Sequence, residues 1–286
     1  MRMVALTVQW FPGHMAKARR QIEEKLSLVD VVIEVLDARL PYSSQNPMIQ
    51  EIIQDKPKIV ILNKADIADS KATKRWVAYF QSKGITAIPV NAQTGDGLQL
   101  ITKEAQNLFV HQREKLLSKG YNPRAVRAII IGIPNVGKST LINRLANKAI
   151  AQTSDKPGVT KKQQWIKVGT DMELLDTPGI LWPKFDNEEI GYRLAVSGAI
   201  KEEVFDFETA GYYLAKFLMV EYKDLIQSRY NIEVIQDDPM QLLEEIGRKR
   251  GCLRSGGIVD TTLAGELLLR DYRSQKLGKI TLEFPE

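Results

Sequence analysis

A chain of 286 residues, 44% of them hydrophobic, is long enough to bury a core and to form two domains. No stretch approaches the roughly 18 uncharged apolar residues of a membrane span, the first ten residues lack the apolar run of a signal peptide, and the lone Cys252 excludes an internal disulfide. These features predict a soluble cytoplasmic protein without a membrane partner, acting as a monomer. The net charge of +5 is unevenly spread: residues 1–185 carry 27 Lys and Arg against 16 Asp and Glu, residues 186–246 carry 5 against 14, and residues 247–286 carry 8 against 5. A basic body with a basic tail suits an anionic macromolecular partner, because Lys and Arg release counterions from phosphates; a solvated charged surface is the plain alternative.

In chain order, the opening QWFPGHMAKARR (9–20) leads into a helix predicted near 15–28. Its Lys17, Arg19 and Arg20, close to Trp10 and Phe11, could grip RNA phosphates; equally, the aromatic residues could anchor the helix to a core. Between residues 30 and 134, short β-branched runs alternate with helical patterns, the signature of a parallel sheet wrapped by helices. The predicted strands are VVIEVLDA (31–38), KIVILNK (58–64), ITAIPVN (85–91) and VRAIIIG (126–132), with helices near 70–82, 97–118 and 138–147. His111 falls on an ordinary helix face and is assigned no function. From about 186 the strand signal stops. Asp206 could cap one helix, Asp238-Pro239 opens another that Gly247 closes, and residues 260–272 form a third. The expected architecture is an α/β domain over 1–185 followed by a smaller, mainly α-helical domain over 186–286.

Within the first domain, GIPNVGKS (132–139) matches the G-x-x-x-x-G-K-[ST] loop, directly after a predicted strand and directly before a helix. The glycines let the backbone amides of Asn135, Val136, Gly137, Lys138, Ser139 and Thr140 face the β- and γ-phosphates at a helix start. Lys138 supplies a charge for the β/γ oxygens and Ser139 a hydroxyl for Mg²⁺. DTPG (176–179) fits the γ-phosphate-sensing segment, with Asp176 toward Mg²⁺ and the Gly179 amide toward the γ-phosphate. In DKPGVT (155–160), Thr160 could close over the metal as a mobile switch, though taken alone it is an ordinary loop threonine. NKAD (63–66), at the end of a strand, places Asn63, Lys64, Ala65 and Asp66 at the carboxyl edge of the sheet. Asp66 can accept from the ring N–H and exocyclic amine of guanine, Asn63 can bond the base and steady a neighbouring loop, and the Lys64 stem can lie over the purine. Adenine would leave the carboxylate without donors, at a cost of about 1 to 3 kcal/mol. After the next strand, Asn91 and Ala92 in VNAQTG stand where a backbone amide can donate to guanine O6.

NKAD precedes the phosphate loop by about seventy residues, the reverse of the usual order. With QWFPGHMAKARR at the start, GILWPKF (179–185) after DTPG and RKRGCLRSGG (248–257) in the tail, the chain resembles the circularly permuted ribosome-assembly GTPases, nearly end to end. The resemblance implies a P-loop GTPase fold with permuted motif order, late action on a precursor of the large ribosomal subunit, and a helical domain that contacts ribosomal RNA. Arg248, Lys249, Arg250 and Arg254 are the matching RNA-binding candidates. It further implies that Asn135 binds K⁺, whose charge replaces an arginine finger. A switch coupled to a protein or membrane partner stays open because of the acidic stretch, and so does an RNA-binding scaffold with a structural pocket, against which the intact Lys138, Ser139 and Asp176 argue.

The position that usually carries a water-orienting glutamine holds Ile180, so intrinsic turnover should be slow. The resemblance assigns the missing function to His14, whereas the residues alone read it as a cap of the basic helix. His14→Ala should lower GTP turnover with GTP affinity unchanged; equal loss of both, measured by single-turnover hydrolysis and equilibrium binding, would mark a structural role.

Overall fold

The structure is a computed structural model that describes residues 19–20, 22–53, 55–121, 124–147, 165–177, 187–233 and 237–286. These form two compact units: residues 19–177 with Glu283–Glu286, and residues 187–282. The expected boundary at 185/186 lies outside the described residues. The return of the last four residues to the first unit corrects the expected division, which assigned them to the helical domain.

In the first unit, β1 (Val31–Asp37), β2 (Lys58–Asn63), β3 (Thr86–Val90), β4 (Val126–Ile131), β5 (Trp165–Val168) and β6 (Met172–Leu175) make a six-stranded sheet in the order β3-β2-β1-β4-β6-β5. Every pairing is parallel except that of β5 with β6. All seven residues of β1 are buried, as expected of a parallel strand covered on both faces. Its one mid-strand charge, Glu34, is tolerated because Lys58 Nζ meets it at 3.0 Å and Gln50 Nε2 donates at 2.8 Å.

The strands match the four predicted segments to within a residue at each end, and α2 (Ser70–Ser82) spans the predicted 70–82. It is capped by Asp69, whose side chain accepts from the Lys71 and Ala72 amides, and it buries Trp76 and Phe80 against Leu36, Val60 and Leu62. α3 (Leu98–Ser118) and α4 (Lys138–Leu145) fall where periodicity placed them. Not foreseen were α1 (Pro47–Ile53), β5 and β6. Each is four to seven residues long, too short for a period to emerge, and MELL of β6 lacks β-branched residues.

The second unit contains α5 (Glu188–Ser197), α6 (Phe207–Glu221), α7 (Lys223–Tyr230), α8 (Pro239–Arg250) and α9 (Thr261–Arg273) around one apolar core. Asp206 caps α6 through the Thr209 amide, as expected. Gly247 does not close α8, which runs on to Arg250 and ends at Gly251 with φ 73°. Gly247 is instead a point of close packing, where a Cβ would stand 2.5 Å from Val259 Cγ1. A similar approach joins α6 to α9: a Cβ on Gly211 would lie 2.5 Å from Gly265 Cα, and one on Gly265 would collide with the Phe207 carbonyl oxygen. Backbone cannot yield as a flexible side chain can. Gly265→Ala should therefore cost about 2 kcal/mol and lower the melting point of this unit by roughly 10 °C, as read by calorimetry.

Candidate nucleotide-binding site

The carboxyl ends of β1, β2, β3 and β4 bring four loops together. Parallel register sets Asp37 of β1 level with Asn63 of β2, and Asn63 level with Val90 of β3. Asn63 is buried, and its side chain joins two of the loops: Nδ2 donates to the Val136 carbonyl at 2.7 Å, and Oδ1 accepts from the Ala92 amide at 3.1 Å. Gly137 is required next to it, because its φ is 93° and a Cβ would strike Asn63 Nδ2.

Lys64 also has positive φ, 62°, and its Nζ donates to the Asn135 carbonyl at 2.7 Å and to Asp37 Oδ2 at 2.9 Å. Arg39 forks onto the same carboxylate, at 2.9 Å from Nε and 2.7 Å from the guanidinium end. Burial alone would push the Asp37 carboxyl up; Arg39 and then Lys64 outweigh it and hold the group well below the usual carboxylate range. Neither Asp37 nor Arg39 was expected at the site. The signal that could have found them is topological: DAR ends the strand beside the one that carries NKAD.

Asp66 is half-buried just beyond, with no hydrogen bond or ion pair to a described residue, so its carboxylate is free to accept. Ala65 is tied to the sheet through its amide, which donates to the Val90 carbonyl at 3.1 Å. The expectation for Asn91 and Ala92 needs correcting. Both backbone amides are used within the protein: Asn91 donates to the Asp96 carbonyl at 3.1 Å and Ala92 to Asn63 Oδ1 at 3.1 Å, while Asn91 Oδ1 accepts from the Gln93 and Thr94 amides at 2.8 and 3.2 Å and organises its own turn.

On the phosphate side, α4 begins at Lys138, so its first amides face the loop 132–137. Ser139 and Thr140 are partly exposed in that first turn. Lys138 is buried, with Nζ donating to the carbonyls of Gly132 at 3.0 Å and Ile133 at 2.8 Å. Burial lowers its pKa to about 8, against the attraction of Asp176. Thr177 is pinned by its hydroxyl to the Ile130 carbonyl at 2.6 Å, which fixes Asp176 beside it. Asp176 is itself buried and its Oδ1 has no hydrogen-bond partner among the described residues; burial raises its pKa to about 6, opposed by Lys138 and the Thr177 amide. A buried carboxylate oxygen left unpaired suits a hard divalent cation such as Mg²⁺.

His14, Lys17, Thr160, Gly179 and Ile180 lie outside the described residues. The remaining RNA-binding candidates are more committed than the sequence suggested. Arg19 and Arg20 pair with Glu23 and Glu24 one turn on, and Arg248 pairs with Glu244. Arg250 stacks over the Tyr230 ring at 5.3 Å and donates to the Arg229 carbonyl at 2.6 Å. Arg254 forks onto Asp260, the cap of α9, and that pairing lowers the Asp260 pKa to about 2. Its expected RNA role therefore competes with a structural one. Lys249 is exposed in the same turn as Arg248.

Comparison with known proteins follows the same lines. Residues 127–236 match the family described as 50S ribosome-binding GTPase. The chain is 55% identical to ribosome biogenesis GTPase A of Bacillus cereus, over 98% of this chain and 95% of that protein, and 52% identical to that of Bacillus pumilus, over 98% and 100%. A crystal structure of GNP-bound YlqF from T. maritima is similar with a TM-score of 0.63 and 30% identity, covering 94% of this chain and 99% of the other.

Because the folded pKa of Asp176 lies above its ordinary value, protonation favours the unliganded fold, and the cost of burying the carboxylate is felt above pH 6 and fades below it. Metal needs the ionised form. Mg²⁺-dependent nucleotide binding should thus weaken about tenfold between pH 7 and pH 5 beyond the nucleotide's own titration. Asp176→Asn, titrated with a fluorescent GDP, should bind weakly throughout and lack that extra drop.

Proposed function

This chain belongs to the ribosome biogenesis GTPase A family, and from that premise we propose that it binds a precursor of the large ribosomal subunit late in maturation and leaves after hydrolysing GTP. It is a GTPase acting in ribosome assembly. The observation that supports the nucleotide part of this reading is the orphaned Asp176 oxygen together with the buried Lys138, whose hydrogen-bond partners among the described residues are the Gly132 and Ile133 carbonyls.

In this reading GTP gives Lys138 phosphate oxygens in exchange for the Gly132 and Ile133 carbonyls, and the first amides of α4 face the same charge. The family generally uses Mg²⁺; Ser139 and Asp176 would hold it, with Thr160 joining from the switch segment. The ion supplies charge neutralisation on the transferred phosphoryl group. Asp66 accepts from guanine, while Asn63 and Lys64 hold the loops around it. His14 stands in for the absent glutamine, and Asn135 would hold K⁺, which would supply positive charge. The Arg248 and Lys249 turn, with Lys17, Arg19 and Arg20, meets ribosomal RNA. We further propose that the protein works as a cytoplasmic monomer. No helix among the described residues is long and apolar enough to cross a membrane.

GTP turnover should be low for the protein alone and rise by at least tenfold on adding large ribosomal subunits, more in potassium than in sodium salts. Lys138→Ala should abolish both rates. Turnover that ignores subunits in either salt would overturn the assembly reading and favour a protein-coupled switch.

A further inference from the structure

Residues Glu283–Glu286 fold with the nucleotide-binding unit, although the residues just before them belong to the helical one. Glu283 is 6% exposed. Its Oε1 accepts from the backbone amides of Tyr42 and Ser43, the latter at 2.8 Å, and its Oε2 accepts from Ser43 Oγ at 2.5 Å. Its own carbonyl accepts from Trp76 Nε1 at 3.0 Å. Arg75 lies over the Phe284 ring at 5.5 Å and donates to the Pro285 carbonyl at 3.2 Å. The tail thus grips one loop, residues 41–44, and one helix, α2.

Both lead directly to the candidate base site. Ser44 Oγ, next in the gripped loop, accepts from the Asp37 amide at 3.1 Å and donates to the Leu40 carbonyl at 2.7 Å. The Asp37 carboxylate holds Lys64 Nζ, and Lys64 in turn holds the Asn135 carbonyl of the phosphate loop. The Asp69 cap of α2 lies three residues after Asp66. A buried carboxylate that collects three donors cannot be removed without leaving them unpaired, and the loop must then shift to rehydrate them.

We propose that Glu283 is a positioning residue for the guanine nucleotide: it fixes the 41–44 loop, which fixes Asp37, which sets Lys64 against the phosphate loop. The C-terminal tetrapeptide is a latch on the base side of the pocket. The proposal rests on the reading of NKAD as the guanine site.

The test is equilibrium binding of fluorescent GDP and GTP to full-length wild type, Glu283→Ala, Asp37→Asn and the double variant, with ADP as a competitor and melting points alongside. Glu283→Ala should weaken GDP and GTP alike by about tenfold, because the base side is common to both, and the double variant should be no weaker than the worse single one. Glu283→Gln, which keeps an acceptor, should fall between wild type and Glu283→Ala, and serves if the alanine variant does not fold. Ser44→Ala replaces Asp37→Asn in the cycle if that variant does not fold. A lowered melting point with unchanged nucleotide affinity, or losses that multiply in the double variant, would overturn the latch. Wild type that binds ADP as well as GDP would instead overturn the base-site reading beneath it.

Discussion

The nucleotide site depends on the side-chain amide of Asn63. The residues expected at the base and those expected at the phosphates are separated by some seventy positions in the chain, in inverted order, so no covalent turn brings them together. Asn63 joins them by spending its donor on Val136 and its acceptor on Ala92. The bond to Val136 is made where Gly137 leaves room for it, and the whole arrangement is buried, where an unmade hydrogen bond costs the most. Permutation is tolerated because strands pair by position in the sheet, and the register of β1, β2 and β3 delivers Asp37, Asn63 and Val90 to one level whatever their order in the chain.

Two buried charge groups flank that link, in opposite states of satisfaction. Asp37 is saturated by Arg39 and Lys64, and its lowered pKa records an interaction already made. Lys138 and Asp176 are both shifted toward neutrality by burial, the lysine downward and the carboxylate upward. In the reading proposed above, the first set would be scaffold for the base and the second would receive phosphate and metal, which would reverse both shifts. A local conflict of this kind, in a fold otherwise well satisfied, is what a ligand site costs the unliganded protein.

The helical unit follows a different logic. Its stability comes from close backbone approach at Gly211, Gly265 and Gly247 and from an apolar core that includes Leu214, Leu218, Ile246 and Leu268. Its basic residues are mostly paired at the surface, where such pairs contribute little and are screened by salt. A polyanion can therefore compete for Arg248 at small cost, whereas freeing Arg254 also disturbs the cap of α9.

The sequence by itself determined the P-loop, the four long strand segments and the helices over 70–82 and 97–118. Their signals are local: a motif of fixed spacing, β-branched runs, or an apolar period sustained over several turns. It also put Asp66 and Asp176 just past the ends of β2 and β6, and Lys138 and Ser139 at the start of the helix after β4, at one edge of the sheet. Tertiary structure alone decided which groups serve which partner. Nothing local distinguishes an Asn91 amide that bonds within its own turn from one that meets a base, a Gly247 that packs from one that ends a helix, or a Glu283 that folds back onto Ser43 across some 240 residues. Those outcomes depend on distances between remote parts of the chain, and these exist only after the sheet has formed.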